Sequence, residues 1–188
     1  MSLAETDHQT LHNIAQASIR YTLEQGSSAH FEQTLNLDDY SPDLQQQRAT
    51  FITLNINDQL RGCIGTLEAH QPLVIDVAHN ARAAAFQDPR FGPLSKPEFE
   101  RLQIHISILG IPEPMTFTSQ QDLLQQIRPG IDGLILTSGM RRGTFLPSVW
   151  ESLATPEEFL SHLKLKAGLP AGFWSDGIRI ERYTTESF

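Results

Sequence analysis

The dipeptide Asn57-Asp58 is the feature that most constrains the fold, because it separates two stretches that read as adjacent strands. The upstream stretch, Ala49–Ile56, is rich in β-branched and aromatic residues, which are typical of strands. Asn and Asp side chains bond back to the local backbone and tolerate positive φ, which a tight hairpin turn requires. We therefore expect Gln59–Leu67 to be the return strand of a hairpin.

The return strand carries the single cysteine among the 188 residues. Strand alternation places Arg61 and Cys63 on one face, with Cα atoms about 6.5 Å apart, and a guanidinium at that range favours the reactive thiolate. Gly62 and Gly65 lack Cβ atoms, so a ligand or another backbone could approach the sulfur closely. The alternative is a buried cysteine that fills apolar space, with glycines that mark a bulge or tight packing.

Five segments of the sequence, in order, resemble the motifs of one protein family. They are Leu60–Gly65, Asn80–Phe91, Gly130–Leu134, Arg142–Glu151 and Lys166–Pro170. Over roughly residues 10–185 they resemble the AMMECR-type domain, protein A of the AmmeMemoRadiSam system. Many members carry a second cysteine where this chain has Lys164, so a dithiol mechanism is not open to it.

The order of elements predicts an α+β fold rather than a doubly wound α/β sheet. A second hairpin is expected at Gly133–Thr137 and Arg142–Leu146, and helices are expected near residues 6–25, 72–88, 95–100, 119–127 and 155–167. Ser95 and Glu98 have the spacing of a capping box at the start of the helix near 95–100. The resemblance implies a mainly antiparallel sheet flanked by helices, with a smaller second lobe and a cleft between. We treat residues 1–188 as one AMMECR-type domain, with residues 1–5 disordered or left over from expression.

Composition excludes several classes of function. A formal net charge of −8 and a pI near 5.3 oppose non-specific binding to nucleic acid or to anionic membranes. The sequence has no apolar run of membrane length and no signal-peptide pattern, so we expect a cytoplasmic protein. Zinc-binding Cys/His spacing and phosphate-binding glycine motifs are also absent, so we expect no metal and no cofactor. The sequence does not indicate an oligomeric state.

Further candidate residues lie downstream of the hairpin. His79 could serve as the base for Cys63, with Asp76 three residues before it on one helix face. The alternative is a solvated helix edge that would also contain Asn80.

Asp88 and Arg90 flank a proline, and could clamp an anion at the mouth of the cleft or hold each other in a structural turn. Arg142 could bind a phosphate or a carboxylate, or could solvate a turn. Trp150 and Trp174 are expected to be core anchors.

The preferred hypothesis is an enzyme or enzyme component in which Cys63 acts as nucleophile or thiol carrier on a small or tethered substrate. Arg61 and His79 complete the predicted catalytic set. The predicted binding set is Gly62, Gly65, Asn80, Asp88, Arg90 and Arg142. The alternative is a non-catalytic binding or adaptor domain that holds a small anionic ligand or a partner, and the resemblance implies Memo-like and radical-SAM proteins as partners. A nucleic-acid role ranks third.

Overall fold

The structure, a computed structural model, describes residues 3–26 and 28–188. The chain divides into two compact units, the first running to Leu109 and including Glu186–Phe188, the second comprising Gly110–Thr185. Each unit has its own hydrophobic core and its own four-stranded sheet. The α+β class with antiparallel sheets is therefore confirmed, whereas the expected cleft stays a prediction.

The described residues form six α-helices and eight strands. The helices are α1 (Glu5–Gln25), α2 (Pro42–Gln45), α3 (Leu73–Phe86), α4 (Lys96–Phe99), α5 (Gln120–Gln126) and α6 (Pro156–Lys166). The strands are β1 (Thr50–Ile56), β2 (Gln59–Gly65), β3 (Gln103–Leu109), β4 (Glu113–Pro114), β5 (Gly133–Ser138), β6 (Arg141–Phe145), β7 (Arg179–Tyr183) and β8 (Thr185–Ser187). Short 3-10 helices lie at Phe31–Thr34, Leu37–Asp39 and Pro147–Glu151. The strand order is β2-β1-β3-β8 in the first sheet and β4-β7-β5-β6 in the second.

The β1–β2 hairpin forms where the sequence predicts it. Asn57 and Asp58 have φ of 51° and 60°, the left-handed region that two-residue hairpin turns require. The register with β1 shifts once, at a β-bulge in which Arg61 is the additional residue of β2. The bulge interrupts the strict alternation on which the shared face of Arg61 and Cys63 was based.

The alanine-rich helix α3 packs against β1 and β2 and also against α1. Five of its alanines are buried, namely Ala78, Ala81, Ala83, Ala84 and Ala85. Small side chains let the helix approach the sheet closely, and the closest approach is at Gly62, directly beneath the backbone oxygen of Ala84. The position of β2 is thus fixed by backbone packing.

The structure of both ends of the chain differs from what the sequence predicts. Residues 1 and 2 lie outside the described residues, whereas Leu3 donates its backbone N–H to Glu186 at 2.9 Å and Glu5 begins α1. The final strand, expected at residues 178–184, is β7, and it is followed by the further strand β8. Phe188 and Ile106 exchange two backbone hydrogen bonds next to β8, which fixes the end of the chain on the first sheet.

The core of the second unit contains one of the two tryptophans. Trp150 stacks on Phe159 with ring centroids 3.9 Å apart and donates its indole N–H to the backbone oxygen of Asp132 at 2.7 Å. This confirms Trp150 as a core anchor. Trp174 is half-buried and packs against the same core, and it also lines a pocket. None of the helices in the described part of the chain combines the length and the apolar character that crossing a bilayer demands.

Candidate functional site

Cys63 lies on β2, the edge strand of the first sheet, and is half-buried. It faces Thr53 of β1 in the antiparallel register, and its Sγ lies 3.3 Å from the Thr53 Oγ1. Its backbone N–H points away from β1, and pairs of this kind bring the two side chains closest together. The sulfur is therefore held next to a hydroxyl group that can donate to it or accept from it.

The turn around Pro89 attaches to the outer edge of β2 at Cys63. Asp88 Oδ2 accepts the backbone N–H of Cys63 at 2.9 Å, and Nη2 of Arg90 donates to the Cys63 carbonyl at 3.5 Å. Asp88 and Arg90 also bind each other through two hydrogen bonds, of 3.0 and 2.7 Å. The two side chains thus occupy the place that a neighbouring strand would take.

Electrostatics strengthens this turn. The guanidinium of Arg90, together with the backbone N–H groups of Cys63 and Arg90, holds the pKa of the buried Asp88 carboxyl well below its usual range. The pKa of Arg90 is raised, mainly by its hydrogen bond to Asp88. Asp88 therefore stays ionised, and its charge is paired with that of Arg90.

Arg90 retains capacity for a ligand. Its side chain is 54% exposed, and within the described part of the chain its Nη1 has no protein acceptor. The ring of Phe91 lies 5.5 Å from the Arg90 guanidinium carbon and 5.6 Å from that of Arg61. Arg90 could therefore bind an anionic group beside the backbone of Cys63 without breaking the turn.

The guanidinium of Arg61 is engaged with Glu98. Its Nε and Nη2 donate to the two carboxylate oxygens at 2.8 and 3.3 Å, and Nη2 also donates to the backbone oxygen of Gly92 at 2.9 Å. The carboxylate of Glu98 also caps α4 by accepting from Ser95, as the sequence predicts. The charge of Arg61 is thus offset by Glu98, and the structure does not pair Arg61 with Cys63.

The Arg61–Glu98 ion pair predicts a pH dependence of stability. The hydrogen bond from Arg61, with further bonds from Ser95, lowers the pKa of Glu98 to about 2, from about 4.3 in an unfolded chain. A carboxyl whose pKa is depressed by folding contributes stability that is present above the unfolded value and is lost as the pH falls through the folded value. We expect Glu98→Gln to be less stable than the parent protein at neutral pH, with the difference shrinking below about pH 4.

Urea titrations of both proteins across the acid range measure that difference. Glu157→Gln, which alters an exposed glutamate of α6, is the matched control and should give a difference that varies less with pH. A Glu98→Gln difference that stays constant down to about pH 2 would contradict the assignment.

Two residues expected on a solvated edge of α3 are buried instead. Asp76 and Asn80 are 0% and 1% exposed, so the expectation was wrong for both. The Asp76 carboxylate accepts hydrogen bonds from the Thr50 N–H and Oγ1, Thr66 Oγ1, Gln71 Nε2 and Asn80 Nδ2, at 2.6–3.0 Å. This buried network joins α3 to the first sheet and leaves Asn80 no surface with which to bind a ligand.

His79 is half-exposed, and its Nδ1 lies 3.7 Å from the carboxylate of Glu32. The same Glu32 oxygen accepts from His30 at 2.8 Å and from Arg82 at 3.3 Å. The structure therefore associates His79 with Glu32 rather than with Cys63, and its role as a base stays a prediction.

The two glycines that flank Cys63 are packed rather than open. A Cβ at Gly62 would overlap the backbone oxygen of Ala84, and one at Gly65 would overlap the ring of Phe51. These positions thus fit the second reading of the sequence, in which the glycines allow tight packing. Arg142 is exposed on β6 of the second unit.

Sequence reasoning missed Thr53 because the β-bulge at Arg61 shifts the register of the hairpin. It missed Glu98 as the partner of Arg61 because the two residues lie 37 positions apart. Within the described residues no group of three or more His, Cys, Asp and Glu side chains is arranged to share a metal ion.

The fold and site define a class of α+β protein in which an Asp-Pro-Arg turn holds an edge-strand cysteine. The model of the AMMECR1 family matches residues 12–188, and the chain belongs to that family.

Relatives match over most of their length. The chain is 37% identical to a protein of Methanothermobacter thermautotrophicus, over 99% of this chain and 95% of that protein. It is 42% identical to a Thermotoga maritima protein, over 78% and 80% of the two chains. The crystal structure of the uncharacterized protein PH0010 from Pyrococcus horikoshii superposes with a TM-score of 0.82 at 31% identity, covering 95% of this chain and 88% of that one.

Proposed function

We propose that the protein is an enzyme or enzyme component in which Cys63 acts as a nucleophile or thiol carrier on a small or tethered substrate. The observation that carries this proposal is the arrangement around the sulfur. Cys63 is half-buried on an edge strand, its Sγ lies within hydrogen-bond range of Thr53 Oγ1, and the guanidinium of Arg90 binds its backbone carbonyl. A cation and a hydroxyl group beside a thiol both favour its thiolate form, which is the nucleophile.

Each neighbour of the sulfur has a distinct role in this proposal. Arg90 stabilises the thiolate and, through its unpaired Nη1, binds an anionic group of the substrate. Thr53 orients the sulfur by its hydrogen bond. Asp88 is a positioning residue, because it holds both the backbone of Cys63 and the guanidinium of Arg90.

The rate of alkylation of Cys63 tests this proposal. In the native protein at neutral pH we expect iodoacetamide to modify Cys63 faster than it modifies the same residue in the urea-unfolded chain. Loss of one nearby cation is expected to lower the thiolate-to-thiol ratio about tenfold, a difference of about 1.4 kcal/mol. The native reaction should slow by about the same factor. Arg90→Gln should show this loss. Mass spectrometry across a pH series gives the rates.

Arg61→Gln is the matched control, since it removes a guanidinium that is already paired with Glu98. It should leave the alkylation rate within about twofold of the parent value. Equal rates in the native and unfolded chains, or a larger effect of Arg61→Gln than of Arg90→Gln, would overturn the assignment.

A non-catalytic binding or adaptor domain is the second candidate. The tight packing at Gly62 and Gly65 favours this candidate, because it makes the edge of the sheet rigid. A rigid edge with one exposed guanidinium is suited to binding a ligand as well as to catalysis. The occupant would be a small anionic ligand or a cytoplasmic partner, and resemblance to the AmmeMemoRadiSam system suggests Memo-like and radical-SAM proteins. An unreactive Cys63 in the alkylation experiment would favour this candidate. A nucleic-acid role ranks third, because the net charge of −8 opposes it.

A further inference from the structure

The second unit contains a pocket of about 360 Å³ that the cysteine site does not use. It lies between the segment Met115–Thr118, which follows β4, and the segment Trp174–Asp176, with Ile178 completing the wall. Small-molecule sites in proteins typically occupy about 300–1,000 Å³. The volume therefore suits a ligand of a few to about a dozen non-hydrogen atoms.

Two aromatic side chains line the pocket. The rings of Phe117 and Trp174 lie 5.7 Å apart at an angle of 54°, and both side chains are half-buried. The two rings form a tilted aromatic pair at the wall of the pocket, and the face of an aromatic ring carries negative electrostatic potential. The thioether of Met115 beside them is polarisable and adapts its shape to a ligand.

Asp176 supplies the charge of the pocket. It is exposed, and it is the residue with an acidic side chain among those that line the pocket. A carboxylate next to aromatic faces is the combination that recognises a positively charged nitrogen, because the carboxylate and the rings both attract a cation. An anion would meet repulsion from each of them.

One cation of the protein itself lies near this site. The Nζ of Lys164 lies 5.5 Å from the centroid of the Trp174 ring and donates to Gln120 Oε1 at 2.7 Å. Lys164 is 1% exposed and is not part of the pocket lining, and burial lowers its pKa. Its contact shows that Trp174 can accept a cation near its ring.

We propose that this pocket binds a small organic cation of the alkylammonium class. The rings of Phe117 and Trp174 would enclose the charged nitrogen and its methyl or methylene groups, while Asp176 neutralises the charge. The site and its ligand class are independent of Cys63 chemistry.

Choline and its uncharged carbon analogue 3,3-dimethylbutan-1-ol are the probes that test the proposal. The two tryptophan indole N–H resonances of the full-length protein are followed by NMR during titration. We expect choline to shift the Trp174 resonance in a saturable way and the analogue to bind at least about tenfold more weakly, a difference of about 1.4 kcal/mol. Trp150 is the internal reference, because its indole is buried and hydrogen-bonded to Asp132.

Asp176→Asn should weaken choline binding by about tenfold or more. The control Asp58→Asn makes the same substitution at an exposed turn of the first unit, and should leave binding unchanged. A Trp174 resonance that does not move would overturn the proposal. Equal binding of the uncharged analogue, or equal affinity of Asp176→Asn and the parent protein, would also overturn it.

Discussion

Replacing Asp76 by alanine is expected to lower the free energy of unfolding by about 3–5 kcal/mol, the summed cost of leaving several buried hydrogen-bond donors without an acceptor. The carboxylate is fully buried and accepts hydrogen bonds from Thr50, Thr66, Gln71 and Asn80. Without it, several buried donors lose their acceptor, and each unsatisfied buried donor costs about 1–3 kcal/mol. Urea or guanidinium titration at neutral pH measures the loss.

The variant Asp76→Asn isolates the role of the charge, because it keeps the volume of the side chain but replaces one acceptor oxygen by a donor. It should also be strongly destabilised, since the new amide would face the N–H groups that the carboxylate now accepts. Asp58→Asn is the matched control in the exposed turn, where asparagine tolerates the same left-handed backbone. If Asp76→Ala cost less than about 1 kcal/mol, water would have replaced the carboxylate and the network would not anchor α3.

Gly62→Ala is expected to destabilise the protein by about 3 kcal/mol, the upper end of the usual cost of overpacking. The added methyl group would overlap the backbone oxygen of Ala84. A backbone atom in a helix cannot rotate away as a side chain can, so α3 would have to move from the sheet. Chemical denaturation measures the change, and the alkylation rate of Cys63 reports whether β2 is displaced.

Gly92→Ala provides the comparison, because a Cβ at that position would meet no atom within 4 Å and the backbone is not left-handed. It should be neutral or stabilising by up to about 1 kcal/mol, as alanine restricts the unfolded chain more than glycine does. Equal losses of stability in the two variants would show that the approach of Ala84 to Gly62 is not the cause.

Local interactions explain what the sequence alone could predict. The turn at Asn57-Asp58 and the capping of α4 by Ser95 and Glu98 each depend on residues within four positions of one another. Their geometry follows from the preferences of those residue types, so both were predicted correctly.

The parts that the sequence did not predict depend on distant partners. Helical periodicity placed Asp76 on a polar edge because its partner Thr50 lies 26 residues away in the chain. Proximity in sequence likewise suggested that Arg61 favours the thiolate form of Cys63. In the fold Arg61 pairs with Glu98, 37 residues away, and the guanidinium that interacts with Cys63 is that of Arg90, 27 residues away.

The attachment of Asp88 and Arg90 to the backbone of Cys63 also bears on self-association. An unprotected edge strand recruits extended segments from other molecules, the first step of amyloid-like aggregation. At Cys63 an incoming strand would have to displace a buried, ion-paired carboxylate before it could form its first ladder bonds. The turn that binds the backbone of Cys63 therefore also protects the edge of β2 from pairing with strands of other molecules.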